Sequence, residues 1–91
     1  MAVNLLIREQ LPYDSIVFDN SSYDNSIVGV TLDGRVIYDY DLMIEEYMND
    51  NDCSYEDAID WIEYNTIRSL SYVGSKAPVI VENFTRRMYE L

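Results

Sequence analysis

The chain has 91 residues, of which 48% are hydrophobic, and it carries a formal net charge of −11. A chain of this length buries one modest core, so the sequence predicts a single domain over residues 1–91. The negative charge excludes direct binding to nucleic acid or to an anionic membrane surface, because both would repel the chain. It favours a basic protein as the partner.

Nothing in the sequence indicates secretion or membrane insertion. The single cysteine, Cys53, cannot form an intrachain disulfide, so no oxidising compartment is required. The apolar patch near Met1 is too short for a signal peptide, and no segment approaches the roughly 20 apolar residues that span a bilayer. The sequence therefore predicts a soluble, cytoplasmic protein.

The first part of the chain contains short strand and turn signals. Residues 1–13 predict a helical turn or an edge strand, which Pro12 ends. Residues 15–18 are rich in β-branched and aromatic side chains and predict a short strand. Asp, Asn and Ser dominate residues 19–25, which we expect to form a turn.

A β-hairpin is the clearest local prediction. Two β-branched runs flank the dipeptide Asp33-Gly34. Asp-Gly suits a two-residue type I′ turn, because both central residues of that turn need a positive φ. We therefore predict such a hairpin, with Val36 and Tyr38 on one face of the sheet and Asp39 on the other.

Two helices are predicted after the hairpin. Asp41 is the expected N-cap of the first, which continues to Met48, and residues 49–52 are too rich in Asn and Asp to extend it. Ser54 is the expected N-cap of the second helix, which ends near Gly74. Its buried side is predicted from helical spacing to consist of Tyr55, Ile59, Ile62 and Thr66.

A last strand is predicted at residues 79–81, a β-branched run that follows Pro78. The order of the elements then predicts an α+β fold. In this fold a small antiparallel sheet of three to four strands, which includes the Asp33-Gly34 hairpin, packs against two helices.

The stretch from Tyr38 to Glu63 contains ten acidic residues and no basic residue. Residues three or four apart on a helix have Cβ atoms about 5–6 Å apart, and alternate residues on a strand lie about 6.5 Å apart. Both separations resemble that of adjacent phosphates, and arginine binds carboxylates and phosphates alike. We therefore predict a DNA-mimicking surface that binds a basic cleft. Its predicted residues are Asp39, Asp41, Glu45, Glu46, Glu56, Asp57, Asp60 and Glu63, with Trp61 and Tyr64 as aromatic anchors.

No catalytic or metal-binding pattern accompanies these acids. The chain has no histidine, which excludes catalytic triads and most zinc chemistry, and the acids around Cys53 disfavour its thiolate. Candidate calcium loops that begin at Asp19 and Asp50 lack the glycine at position 6 and the glutamate at position 12 of an EF-hand. We expect a protein that is not an enzyme and needs no cofactor, and an enzyme with a carboxylate pair is a weaker alternative.

Three motifs in about half of the chain carry a resemblance to a known family. They read Asp-Gly-Arg-Val-Ile-Tyr-Asp-Tyr-Asp from residue 33, Ser-Tyr-Glu-Asp-Ala-Ile-Asp-Trp-Ile-Glu-Tyr-Asn-Thr-Ile-Arg from residue 54, and Lys-Ala-Pro-Val-Ile-Val from residue 76. The segment resembles small uncharacterised acidic proteins of Gram-positive phages and mobile elements. The resemblance implies a setting of conflict between phage and bacterial host, where small acidic anti-CRISPR proteins occupy the DNA-binding cleft of an RNA-guided nuclease. The step to that activity is an analogy.

Two functions follow as hypotheses. The first is a phage-type inhibitor in the bacterial host cytoplasm, an anti-CRISPR protein that binds the nucleic-acid-binding surface of a CRISPR effector nuclease as a DNA mimic. The alternative is a small protein–protein interaction or assembly module, such as a homodimer through a face rich in Tyr and Met. In that case the acids only solvate the protein.

Overall fold

The computed structural model describes residues 7–84. Its elements follow the chain in an α+β order, which confirms the predicted fold class. They are a 3-10 helix Ser21–Ser26, strands β1 (Ile27–Val30) and β2 (Val36–Asp39), helices α1 (Tyr40–Asn51) and α2 (Tyr55–Trp61), a π-helical segment Ile62–Ile67, a 3-10 helix Arg68–Tyr72 and strand β3 (Val79–Val81).

The sheet has three strands in the order β1-β2-β3, and its pairing is mixed. Strands β1 and β2 are antiparallel, whereas β3 runs parallel to β2, with Val79 opposite Ile37 and Val81 opposite Asp39. This second pairing differs from the predicted antiparallel arrangement. The helical region between β2 and β3 acts as a crossover connection, and a crossover returns the chain to the sheet in the parallel direction.

The hairpin between β1 and β2 forms as predicted, but its turn is of another type. The Gly34 N–H donates to the Thr31 carbonyl (2.9 Å), and the Thr31 N–H donates to the Arg35 carbonyl (2.8 Å). Gly34 has a φ of 88°, whereas Asp33 is not among the residues with positive φ. The loop is therefore a three-residue turn closed by a left-handed glycine, and the predicted two-residue type I′ turn is wrong.

The predicted strand at residues 15–18 does not form. Its last residue is held by side-chain contacts instead, because the Phe18 N–H donates to the Tyr38 hydroxyl (3.0 Å) and the two rings pack 4.6 Å apart. The turn predicted after it is a 3-10 helix, Ser21–Ser26. Asn20 caps this helix, since its side-chain oxygen accepts a hydrogen bond from the Ser22 N–H.

Helix α1 begins two residues earlier and ends three residues later than predicted. Its N-cap is Asp39, whose carboxylate accepts a hydrogen bond from the Leu42 N–H (3.0 Å). The helix continues through Asn51, whose side-chain amide donates to the Tyr47 carbonyl (3.0 Å). It ends at Asp52, which adopts the left-handed conformation that Asp and Asn tolerate better than other side chains.

Helix α2 begins at the predicted N-cap, because the Ser54 hydroxyl accepts a hydrogen bond from the Asp57 N–H (3.1 Å). The buried side is shifted from the prediction. Ile62 and Thr66 are buried as expected, but Ala58 occupies the inner position of the first turn and Tyr55 is 54% exposed. The small Ala58 side chain lets the helix approach the core closely, which leaves Tyr55 on the outer side.

A single cluster of buried side chains lies between the sheet and the helices. Cys53 is half-buried against it, as expected of a small apolar side chain. In the part of the chain that the structure describes, no helix is long and apolar enough to cross a membrane. The buried cluster consists of Tyr23, Val36, Tyr38, Met43, Ile44, Ala58 and Ile62.

Candidate partner-binding surface

The two helices that carry the acids are held against each other by aromatic side chains. The Tyr47 ring of α1 stacks on the Trp61 ring of α2, with centroids 4.9 Å apart and planes at 27°. At the start of α1, the Tyr40 hydroxyl donates a hydrogen bond to the Glu63 carboxylate (2.8 Å). These two links fix the acids of one helix relative to those of the other.

Most of the predicted acids lie on this helix pair or, for Glu63, on the π-helical segment that continues α2. We call them the acidic surface. Glu45, Glu56, Asp57, Asp60 and Glu63 are exposed, and the two others are half-buried. The acidic surface consists of Asp41, Glu45, Glu46, Glu56, Asp57, Asp60 and Glu63.

Three of these carboxylates are exposed and have no cationic partner in the described part of the chain. Among residues 7–84, Glu56, Asp57 and Asp60 form no salt bridge, and the ion pairs found there join Arg8 to Asp24 and Lys76 to Asp14. All three lie on α2, and Glu56 and Asp57 are in its first turn, where the helix dipole favours negative charge. Glu56, Asp57 and Asp60 therefore place three exposed carboxylates, unpaired within residues 7–84, on a regular element.

Asp39 does not belong to this surface, and its prediction as a partner-binding residue is wrong. The side chain is completely buried. One carboxylate oxygen caps α1, and the residue lies opposite Val81 of β3. A residue that ends a strand and caps the next helix is enclosed by both elements, so it cannot contact a partner.

Three of the basic residues in the described region form ion pairs or hydrogen bonds with other parts of the chain. Arg8 pairs with the buried Asp24, and the Arg35 guanidinium donates to the Ala77 carbonyl (2.8 Å). Lys76 donates to the Asp33 carbonyl (2.6 Å). These contacts tie the positive charges to the hairpin and the amino-terminal region, and they leave the helix pair negative.

The two predicted aromatic anchors are accessible. Trp61 is 43% exposed and Tyr64 is 67% exposed. The Arg68 guanidinium lies 4.7 Å from the centre of the Tyr64 ring, which is a cation–π contact. Trp61 is thus the anchor that adjoins negative charge, whereas Tyr64 already has a cation on its face.

Sequence reasoning missed a cleft beside Trp61. The cleft has a volume of about 250 Å³. One wall consists of residues before and within the first 3-10 helix, and the other consists of one side of the helical region from the end of α2 to the second 3-10 helix. Its only signal in the sequence is the spacing of Trp61, Asn65 and Ser69, which places all three on one side of a helix. The lining residues are Phe18, Asp19, Asn20, Tyr23, Trp61, Asn65, Thr66 and Ser69.

The tyrosines near the helix pair are expected to make folding sensitive to alkaline pH. Burial raises the pKa of Tyr23, Tyr38 and Tyr40 above 10, and for Tyr40 the hydrogen bond to Glu63 raises it further. Because these folded-state values exceed the unfolded ones, their contribution to stability is complete below pH 10 and is lost as the pH rises above it. The denaturation midpoint should therefore stay nearly constant up to about pH 9 and fall as the pH rises from about 10 to about 12.

Urea unfolding followed by circular dichroism at each pH measures this dependence. Tyr40→Phe should reduce the slope, since it removes one of the raised groups, and Tyr13→Phe, at a fully exposed position, should not. A midpoint that stays constant across the range, or equal effects of the two variants, would contradict the assignment.

Within residues 7–84 the acids do not converge as a metal site, since no three of the Asp, Glu and Cys side chains could hold one ion. Comparison with protein-family models, with curated protein sequences and with solved structures finds no match to this chain.

Proposed function

We propose that this chain is an inhibitor that binds a basic, nucleic-acid-binding surface of a bacterial defence protein, with a CRISPR effector nuclease as the target. The observation that carries the proposal is the set of exposed carboxylates Glu56, Asp57 and Asp60 on α2, next to the accessible Trp61. No cation within residues 7–84 pairs with these three. The resemblance to phage proteins supplies the bacterial setting, and the analogy to small acidic anti-CRISPR proteins supplies the target class.

The rigidity of the helix pair supports mimicry of a polyanion. A flexible acidic tail would lose conformational entropy on binding, whereas carboxylates on packed helices are already in place. The Tyr47–Trp61 stack and the Tyr40–Glu63 hydrogen bond provide this order. A cleft lined by Arg and Lys would accept the carboxylates in place of phosphates, so the inhibitor and DNA would compete for one surface. Opposite charge would also make association fast and dependent on salt.

The proposal is tested with a guide-RNA-loaded CRISPR nuclease from a Gram-positive bacterium, whose binding to target DNA is followed by mobility shift. At about 0.05 M salt the protein should prevent DNA binding, and at about 0.5 M salt the effect should be largely screened. Replacing Glu56 and Asp60 together by lysine should weaken inhibition by about a hundredfold, about tenfold for each reversed charge.

The matched control replaces Glu9 and Asp14 by lysine, which changes the net charge equally at two exposed acids outside the acidic surface. This control should retain most of the inhibition, and circular dichroism should show that both variants are folded. Absence of inhibition at low salt, or equal losses in the two variants, would overturn the proposal.

The assembly-module alternative now depends on a different surface. Met43 lies in the core, so a face rich in Tyr and Met is not fully available to a second copy. The apolar side chains that stay exposed on one side of the hairpin are instead Val28, Val30 and Leu32, on and beyond the edge strand β1. Two results would favour this alternative. Light scattering would give the mass of a dimer, and binding of the chain to its partner would not depend on salt concentration.

A further inference from the structure

The cleft beside Trp61 combines an aromatic wall with a row of hydrogen-bond acceptors. Trp61 forms the wall, and its ring is held in place because Tyr47 stacks on it. The Phe18 and Tyr23 rings, which meet edge to face with centroids 6.0 Å apart, belong to the same lining. The aromatic part of the cleft is therefore formed before any ligand arrives.

The polar groups around this wall have acceptor capacity left over. The Asn65 amide donates to the Trp61 carbonyl (3.1 Å), which leaves the side-chain oxygen of Asn65 as an acceptor. The Ser69 hydroxyl donates to the Thr66 carbonyl (2.7 Å), so its oxygen can accept. Asp19 adds an exposed carboxylate at the rim.

We propose that this cleft binds an arginine side chain of the partner protein. The inference rests on the proposed function, because it names the side chain that a basic partner would insert. A guanidinium is planar and packs on an indole face, and its five N–H groups can donate to several of the acceptors on Asp19, Asn65 and Ser69 at once. A lysine ammonium carries the same charge but lacks the plane and the fork. The negative field of the chain disfavours an anionic ligand at this position.

The test uses the fact that Trp61 is the only tryptophan of the chain, so its fluorescence reports on binding at this one residue, and the rim substitutions below assign that binding to the cleft. The probes are two otherwise identical peptides, one with arginines and one with lysines at the same positions. The arginine peptide should change the Trp61 emission in a saturable manner and bind about tenfold more tightly than the lysine peptide, as expected of a desolvated cation–π contact.

Substitutions at the rim separate the cleft from the acidic surface. Asp19→Asn and Asn65→Ala should remove most of the preference for arginine, because they take away acceptors without touching the Tyr47–Trp61 stack. Asp60→Asn is the matched control, since it should weaken both peptides equally and keep the preference. An unchanged unfolding midpoint in all three variants confirms that the fold is intact.

Equal affinity for the two peptides, or a preference that survives both rim substitutions, would overturn the arginine cleft. Such a result leaves the proposed function standing if nuclease inhibition still depends on Glu56 and Asp60. Conversely, a clear arginine preference without any effect on the nuclease would support the cleft and refute the proposed target. The two proposals therefore fail through different measurements.

Discussion

Tyr38→Ala is expected to lower the free energy of unfolding by about 3–5 kcal/mol, the range for loss of a large aromatic side chain from a core. Tyr38 is completely buried, and its ring packs against Phe18 with centroids 4.6 Å apart. The alanine variant would leave a cavity at the centre of the sheet and remove the acceptor of the Phe18 N–H. A domain of this size has only about 5–15 kcal/mol of stability, so much of it would be lost.

Urea denaturation measured by circular dichroism gives this free energy. Tyr38→Phe keeps the ring but removes the hydroxyl that accepts from the Phe18 N–H, so it should cost only about 1–2 kcal/mol. Tyr13→Ala, at a fully exposed position, should change stability by less than about 0.5 kcal/mol. If Tyr38→Ala costs no more than Tyr38→Phe, the ring does not hold the core together.

Arg8→Met is expected to destabilise the fold by about 3 kcal/mol, near the lower end of the range for breaking a buried ion pair. The Arg8 guanidinium donates to both carboxylate oxygens of Asp24, at 2.5 and 3.0 Å. Asp24 is only 1% exposed, so without Arg8 its charge would be buried and uncompensated. The effect falls near the lower end because Arg8 itself is partly open to water.

A double-mutant cycle separates the ion pair from other effects. Asp24→Asn in the Arg8→Met background should recover part of the loss, because a neutral amide is less costly to bury than an unpaired carboxylate. Lys76→Met is the control, since its contact with Asp14 is exposed and spans 4.0 Å, and it should cost less than about 1 kcal/mol. If the effects of Arg8→Met and Asp24→Asn on the free energy of unfolding are strictly additive, the ion pair itself contributes no stability.

Structural features that are determined by residues close together in the sequence could be predicted. The Ser54 N-cap, the hairpin closed at Gly34 and the left-handed Gly74 after the helical region all follow from the conformational preference of one residue type. The exposure of Glu56 and Asp60 follows from the helical repeat, which places them opposite the buried side of α2.

Features that depend on distant segments could not be predicted in this way. Nothing in residues 15–18 shows that Phe18 will meet the Tyr38 hydroxyl instead of a neighbouring strand. The direction of β3 depends on how the whole helical region crosses the sheet. The cleft beside Trp61 likewise needs two segments that only the folded core brings together.

Asp39 shows the limit of spacing arguments within the candidate site. Its position in the alternating strand pattern placed it on an outer face. In the structure the strand ends there, the helix begins at Tyr40, and β3 covers the remaining side. An acidic residue at such a junction stabilises the backbone, and its charge is not offered to a partner.

The parallel pairing of β3 has a consequence for the order of events during synthesis. Strand β2 lies in the middle of the sheet, yet its second neighbour is Val79–Val81, which leaves the ribosome only after the entire helical region. Until then the Ile37–Asp39 edge of the nascent chain has no strand beside it, and unpaired edges are sites of aggregation. The sheet therefore becomes complete after translation of the helices, through a contact between remote segments, which is the kind of step that slows folding.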